Sequence, residues 1–99
     1  FDTDRGVVVL LGCAHAGVIN TLQYVRRLTI GRPIYGVVGG MHLINAGKER
    51  MTRTIETLKG MHLRLLAPCH CTGIRAVADL RAAFPTQWRA AHVGSSLAF

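Results

Sequence analysis

The stretch Val7–His15 reads VVVLLGCAH, an unbroken aliphatic run followed by a glycine and, three residues further on, by a histidine. A short aliphatic run that ends at a glycine is typical of a strand buried on both faces of a sheet. We therefore predict a strand over Val7–Leu11, with His15 in the loop that follows it.

The same unit occurs twice more. Ile34–Val38 is a second apolar run that leads through two glycines to His42, and Leu63–Ala67 is a third that leads through a proline to His70. The histidines are 27 and 28 residues apart. If the three strands are parallel, their carboxyl ends meet at one edge of the sheet, where open α/β sheets build their sites.

Helical periodicity separates the three runs. Apolar residues recur every three or four positions from Val18 to Leu28, over Lys48–Lys59 and from Ile74 to Phe84, which is the spacing of one helix face. We predict that Thr72 caps the third helix and that Trp88–Phe99 forms two short edge strands. Strands that alternate with helices indicate an α/β layer with a parallel sheet.

Length and composition limit the kinds of protein that the chain can be. Its 99 residues allow one domain, and 49% apolar with 17% charged residues is a globular balance. No apolar run approaches the length of about 18 residues that spans a bilayer, so we expect no membrane partner. The net charge of +7 comes from scattered basic residues that do not alternate with aromatics. We therefore expect a small-molecule substrate, with phosphorylated compounds as candidates, rather than a nucleic acid.

The three cysteines are Cys13, Cys69 and Cys71, and the last two flank His70. An odd number with this tight spacing does not form a disulfide framework. Free thiols indicate a reducing compartment, and we expect the cytoplasm.

A divalent metal is the simplest explanation for the three loop histidines, because neutral imidazoles from separate loops are how open catalytic metal sites are built. We predict His15 and His70 as metal ligands and His42 as a residue that contacts the substrate or the metal. Cys13, two residues before His15, is an additional candidate ligand. Neighbours on an extended loop point apart, so we favour Cys69 and Cys71 less.

Other schemes have less support. The five acidic residues form no carboxylate pair suited to acid–base catalysis, and a Cys-His nucleophilic pair lacks an orienting carboxylate. The alternative that stays open is a non-enzymatic phosphate- or nucleotide-binding α/β module. In that reading the strand, glycine-bounded loop and helix of Val7–Leu22 hold a phosphate at the helix N-terminus.

Three segments, Leu10–Asn20, Val38–Leu43 and Ala67–Gly73, together resemble the C-terminal half of one branch of the metallo-β-lactamase superfamily, the branch that includes the archaeal dihydropterin-methyl-aminobenzene-phosphate synthase. The resemblance implies a four-layer αββα sandwich. The chain, residues 1–99, would be a single partial domain of it that supplies one sheet and about three helices. The resemblance also implies one or two divalent metals at the sheet edge, zinc first, with iron and manganese as alternatives.

The resemblance implies a role for each histidine. His15 stands near the position of a Gly-Asp that bridges two metals in the superfamily, His70 matches the last metal-binding histidine, and His42 is shared with this branch and is assigned to the substrate. The expected activity is metal-dependent hydrolysis of an ester or phosphoester by an activated water, or a related pterin-pathway group transfer.

The principal metal motif of the superfamily, His-X-His-X-Asp-His, does not occur in the sequence. We therefore expect the isolated chain to bind metal poorly and to be inactive without the missing N-terminal half or a second chain. The sheet should also expose an apolar face meant for the partner layer.

Overall fold

Strands and helices alternate along the chain in the order that the sequence predicts, apart from an extra strand at the start. The computed structural model describes residues 1–99. Its elements are β1 (Asp2–Thr3), β2 (Gly6–Leu11), α1 (Val18–Leu28), β3 (Ile34–Gly40), α2 (Lys48–Gly60), β4 (Leu65–Cys69), a 3-10 turn (His70–Thr72) and α3 (Ile74–Ala83).

The four strands form one sheet in the order β1-β2-β3-β4. Strands β2, β3 and β4 are parallel, and β1 pairs with β2 in the antiparallel direction. Near the carboxyl ends of the parallel strands, Gly39 pairs with Leu11 on one side and with Pro68 on the other. The loops after the three strands therefore start at the same edge of the sheet, as the sequence predicts.

The three helices cover one face of the sheet. Each crossover steps to the next strand in the same direction, and right-handed crossovers of this kind place their helices on the same side. Helix α2 contacts both α1 and α3. The core between sheet and helices is built from alternate strand residues and the apolar stripe of each helix, among them Val9, Val37, Leu66, Leu22, Leu58 and Leu80. None of the helices combines the length and the apolar composition needed to cross a membrane.

The opposite face of the sheet is only partly covered. Leu10 pairs with Val38, and Val38 pairs with Ala67, so these side chains form a row that points away from the helix-side residues Val9 and Val37. Leu10 keeps 57% of its surface exposed although it lies on an interior strand of the sheet. The expectation of an exposed apolar face therefore holds only at Leu10, because Val38 is half-buried and Ala67 is fully buried.

Helix α1 ends in a Schellman motif with an unusual residue. The Gly31 N–H donates to the Arg26 carbonyl at 2.8 Å, and the Ile30 N–H donates to the Arg27 carbonyl at 3.3 Å. In this motif the first residue beyond the helix cap adopts the left-handed conformation and is usually glycine. Here it is Ile30, with φ 54° and 95% of its surface exposed.

We predict that Ile30→Gly raises the free energy of unfolding by about 0.5–1 kcal/mol. Removal of the Cβ relieves a left-handed penalty of about 1–2 kcal/mol, and the greater freedom of glycine in the unfolded chain takes back part of that gain. Because Ile30 is exposed, little burial is lost. Urea denaturation measures the change. The control is Gln23→Gly in the exposed interior of α1, which should lower stability by about 1 kcal/mol. A loss of stability in both variants would contradict the prediction.

Two expectations about local structure are wrong, and one strand is additional to those expected. Thr72 does not cap α3, because Gly73 occupies the N-cap position with φ 82° and the Thr72 hydroxyl bonds elsewhere. Trp88–Phe99 forms no strands and contributes a single parallel bridge between Leu66 and Trp88. Strand β1 was not anticipated, because its two residues carry no periodicity and are ordered by pairing with β2.

Candidate metal centre

Each loop at the carboxyl edge of the sheet contains one non-glycine residue in the left-handed conformation. Ala14 has φ 48°, His42 has φ 51° and His70 has φ 53°. Such conformations cost about 1–3 kcal/mol each and persist where the surrounding structure determines them, which is common at functional sites. At these turns, successive side chains no longer point to opposite faces of the sheet as they do along the strands.

Three donor atoms from two of these loops lie together. The Cys13 Sγ is 3.2 Å from the His70 Nε2, and the Cys71 thiol donates to the Cys13 carbonyl at 3.5 Å. The two sulfur atoms and a ring nitrogen of His70 all lie within 4.8 Å of one another. Cys13 and Cys71 are half-buried and His70 is exposed, so the cluster sits at the surface of the sheet edge.

The Thr72 hydroxyl fixes the loop that carries His70 and Cys71. It is fully buried, donates to the Cys69 carbonyl at 2.7 Å and accepts the Met41 N–H at 3.0 Å. These bonds join the end of β4 to the residue after β3. The 3-10 turn that starts at His70 then directs Cys71 towards Cys13.

Gly40 lies beneath the cluster and has no room for a side chain. Its N–H donates to the Gly12 carbonyl at 3.1 Å. A Cβ at this position would lie 2.3 Å from that carbonyl oxygen and 2.8 Å from the Cys71 Sγ. Any larger residue would therefore push apart the two loops that supply the donors.

The thiol of Cys13 is held in its protonated form. Partial burial raises the pKa of Cys13 above its ordinary value of 9.0, and the neighbouring Cys71 raises it further, through a hydrogen bond and through its charge. A cation bound between the two sulfurs would reverse this effect, because a metal favours the thiolate.

The donors of the cluster suit a divalent metal such as zinc. Thiolate and imidazole are zinc ligands, and two cysteines with one histidine form one known type of catalytic zinc site, which keeps its fourth position open. Zn–S bonds of about 2.3 Å and Zn–N bonds of about 2.0 Å put the donors of a tetrahedral site roughly 3.5 Å apart. The Cys13 Sγ and the His70 Nε2, 3.2 Å apart, are close to that separation, and all three donors lie within 4.8 Å of one another.

The predicted site residues fall into two groups. His70 and Cys13 are in contact, as two ligands of one metal would be. His15 and His42 instead contact each other, with ring centroids 4.7 Å apart and planes tilted by 60°, and neither belongs to the cluster of Cys13, His70 and Cys71. Metal binding by His15 and His70, and substrate binding by His42, stay predictions.

Cys71 lies in the cluster although the sequence argument favours it less than Cys13 as a ligand, and metal binding by Cys71 stays a prediction. That argument assumed an extended loop in which neighbours point apart, whereas the left-handed His70 and the 3-10 turn bring His70 and Cys71 to the same side. The local signal was the Cys-His-Cys triplet followed directly by Thr72 and Gly73, which favour a tight turn.

Comparison with known proteins agrees with this architecture. The chain is 30% identical over 97 residues to the 7,8-dihydropterin-6-methyl-4-(beta-D-ribofuranosyl)-aminobenzene-5'-phosphate synthase of Methanocaldococcus jannaschii, an alignment that covers 98% of the chain and 33% of the synthase. It is 33% identical over 73 residues to the uncharacterized protein MJ0448 of the same organism, which covers 74% of the chain and 27% of that protein. No family model matches the sequence.

A solved structure shares the fold. Tm1679, described as a metal-dependent hydrolase of the beta-lactamase superfamily, superposes with a TM-score of 0.90 and 31% identity over 99% of the chain and 38% of that protein. The chain is thus similar in sequence to a segment of a metallo-β-lactamase superfamily protein and shares its α/β fold. The resemblance seen in the sequence is confirmed. It spans a third or less of the length of the two curated relatives.

We predict that the isolated chain binds zinc through the cluster, weakly as the sequence analysis expects of the chain alone, and that Cys13→Ala, His70→Ala and Cys71→Ala each lower this affinity at least about tenfold. Competition with a chromophoric zinc chelator measures the affinity. The matched control is Cys69→Ala, which removes a thiol of the same segment that lies outside the cluster and should leave the affinity unchanged. Equal losses for Cys69 and Cys71 would contradict the assignment. His15→Ala in the same assay tests the prediction that His15 is also a ligand.

We also predict that the metal-free chain loses stability in alkaline solution. The pKa of Cys13 is raised in the folded chain relative to its ordinary value in the unfolded chain. The unfolded chain therefore releases this proton first, and the contribution of Cys13 is intact below the ordinary value and is lost as the pH rises through the folded pKa. Denaturation at about pH 8 and about pH 10 measures the slope. Cys13→Ala should make it shallower, and an unchanged slope in that variant would contradict the prediction.

Proposed function

We propose that the chain is the part of a metallo-β-lactamase-fold hydrolase that supplies ligands to a divalent metal, with zinc as the metal, and that the whole enzyme cleaves an ester or phosphoester. One observation carries the proposal: two thiols and an imidazole converge at the carboxyl edge of a parallel sheet. The description of Tm1679 as a metal-dependent hydrolase of this superfamily supports it.

The residues have distinct roles in this proposal. Cys13, His70 and Cys71 hold the metal, and His15 is the additional ligand expected from the sequence. A divalent metal supplies Lewis acidity, which lowers the pKa of a water nucleophile and polarises the scissile bond. The exposed His42 ring, in contact with His15, orients the substrate beside these ligands. Thr72 and Gly40 keep the two donor loops at their spacing.

The proposal includes a partner for the sheet. Leu10 is exposed on the face opposite the helices, and a sheet that is apolar on that face is stabilised when another layer covers it. We infer that the remaining ligands and this second layer come from the part of the longer protein that the chain does not span, or from a second chain. The three free thiols support a reducing compartment such as the cytoplasm.

A group-transfer reaction is the variant of this proposal that one relative supports. That relative is named a synthase, and its name includes an aminobenzene 5'-phosphate. The same donors and the same open edge would serve transfer to an acceptor other than water. The identity of the acceptor distinguishes the two reactions.

Hydrolysis of an aryl phosphate tests the proposal, with the chain assayed alone and within any longer polypeptide that contains it. We expect activity in the longer polypeptide that zinc restores after chelation and that His70→Ala lowers at least about a hundredfold, since loss of a metal ligand removes the activated water. The control is His92→Ala, an exposed histidine near the chain end, which should keep full activity. Metal-independent turnover, or equal losses in both variants, would contradict the proposal.

A further inference from the structure

A cavity of about 350 Å³ opens beside His15, on the side of its loop where α1 begins. Its walls are the end of the loop and the first turn of α1, residues 15–20, together with Arg50 and Thr54 of the neighbouring helix α2. No acidic residue lines it. The lining residue His15 lies two residues after Cys13 on the same loop.

The start of α1 offers backbone donors to this cavity. The N–H groups of Val18, Ile19 and Asn20 have no acceptor in the chain, and the first partnered N–H of the helix is that of Thr21, bonded to the Gly17 carbonyl at 3.0 Å. The first turn contains no acidic residue, and no side chain caps it. The Asn20 amide donates to the Ala16 carbonyl at 2.8 Å instead. Free N–H groups at the positive end of a helix favour an anion.

Arg50 adds a full positive charge to the same cavity. The ion pairs of the chain are Arg32 with Asp2 and Arg53 with Glu49, so the Arg50 guanidinium has no carboxylate partner. Its side chain is exposed and lies at the cavity wall. A guanidinium next to free backbone N–H groups suits the oxygens of a phosphate group, which accept several charge-assisted hydrogen bonds at once.

Thr54 is the observation that points most directly to a ligand. The other threonines of α2, Thr52 and Thr57, donate their hydroxyls to the carbonyl four residues earlier. Thr54 is only 5% exposed, and its hydroxyl makes no hydrogen bond within the chain. The one side-chain nitrogen or oxygen that is fully enclosed without a partner is the indole nitrogen of Trp88, so the Thr54 oxygen still faces open space. Thr54 is one of the residues that line the cavity.

The Thr54 hydroxyl is therefore an accessible hydrogen-bonding group, without a partner in the chain, on a side chain that is otherwise buried. We propose that the Thr54 hydroxyl, the Arg50 guanidinium and the backbone N–H groups of Val18–Asn20 form a subsite for the phosphate group of a phosphomonoester substrate. The subsite rests on the proposed function for its role, because it would hold the substrate beside the metal-binding residues. Donors from two different elements distinguish it from an ordinary helix terminus.

A second basic cavity, at the other edge of the sheet, is a weaker candidate. It is lined by Arg5, Arg26 and Arg64, but the C-terminal ends of α1 and α2 open towards it, at Gly31 and at Gly60. The negative ends of two helices oppose an anion there. The arginines near those ends offset the helix dipoles, and no unpartnered buried group points to a ligand.

Titration of the isotope-labelled, metal-free chain with inorganic phosphate and with phenyl phosphate tests the subsite. Amide chemical shifts report which residues respond. We expect both compounds to shift the amides of Val18, Ile19 and Asn20, with phenyl phosphate binding at least as tightly as inorganic phosphate. Response to inorganic phosphate alone would overturn the assignment to a phosphomonoester substrate.

Variants in α2 distinguish phosphate binding at the subsite from nonspecific electrostatic attraction of phosphate to a basic chain. Arg50→Gln should weaken binding about tenfold, the effect of losing one charge-assisted contact. Thr54→Val should weaken it about threefold, and Thr54→Ser, which keeps the hydroxyl, should restore it. The matched control is Arg53→Gln, one turn along the same helix and paired with Glu49, which should leave binding within about twofold. Equal losses for Arg50 and Arg53, or shifts centred on Arg5 and Arg64, would overturn the proposal.

The design separates failure of the subsite from failure of the proposed function. The phosphate titration needs no metal and is repeated on His70→Ala, in which we expect unchanged binding. Zinc binding without phosphate binding overturns the subsite and leaves the metal proposal intact. Phosphate binding without zinc binding supports the subsite and removes the metal from the proposed function.

Discussion

The register of the parallel strands determines where this chain can place its reactive side chains. Gly39 lies between Leu11 and Pro68 in the ladder, and one residue further on the Gly40 N–H bonds to the Gly12 carbonyl. The backbones after β2 and β3 are therefore in contact, and the loop after β4 closes over them through Thr72. Thiols and imidazoles that are far apart in sequence, such as Cys13 and His70, meet because of this alignment.

The sequence predicted what local patterns determine. Aliphatic runs located β2, β3 and β4, and apolar spacing located the three helices, because a strand or helix must bury one face wherever it packs. The alternation of strands and helices predicted that the three strands are parallel and end at one edge of the sheet. The position of Cys71 beside Cys13 was not expected, because a left-handed residue reverses the side-chain direction of an extended loop. Strand β1 and the bridge at Trp88 depend on tertiary pairing that no short pattern records.

The carboxyl edge presents two kinds of chemistry on the two sides of one loop. The side that faces β4 offers soft sulfur and nitrogen donors from Cys13, Cys71 and His70, which bind metal cations. The side that faces α2 offers N–H and hydroxyl donors with a guanidinium, which bind oxyanions.

The left-handed residues Ala14, His42 and His70 also bear on how ligand binding at the sheet edge changes the stability of the chain. Their backbone strain is maintained by the rest of the fold. A species that binds the folded edge and not the unfolded chain adds its own binding free energy to the native state. Thermodynamic linkage then makes the melting temperature of this chain depend on the concentration and affinity of a ligand bound at its sheet edge.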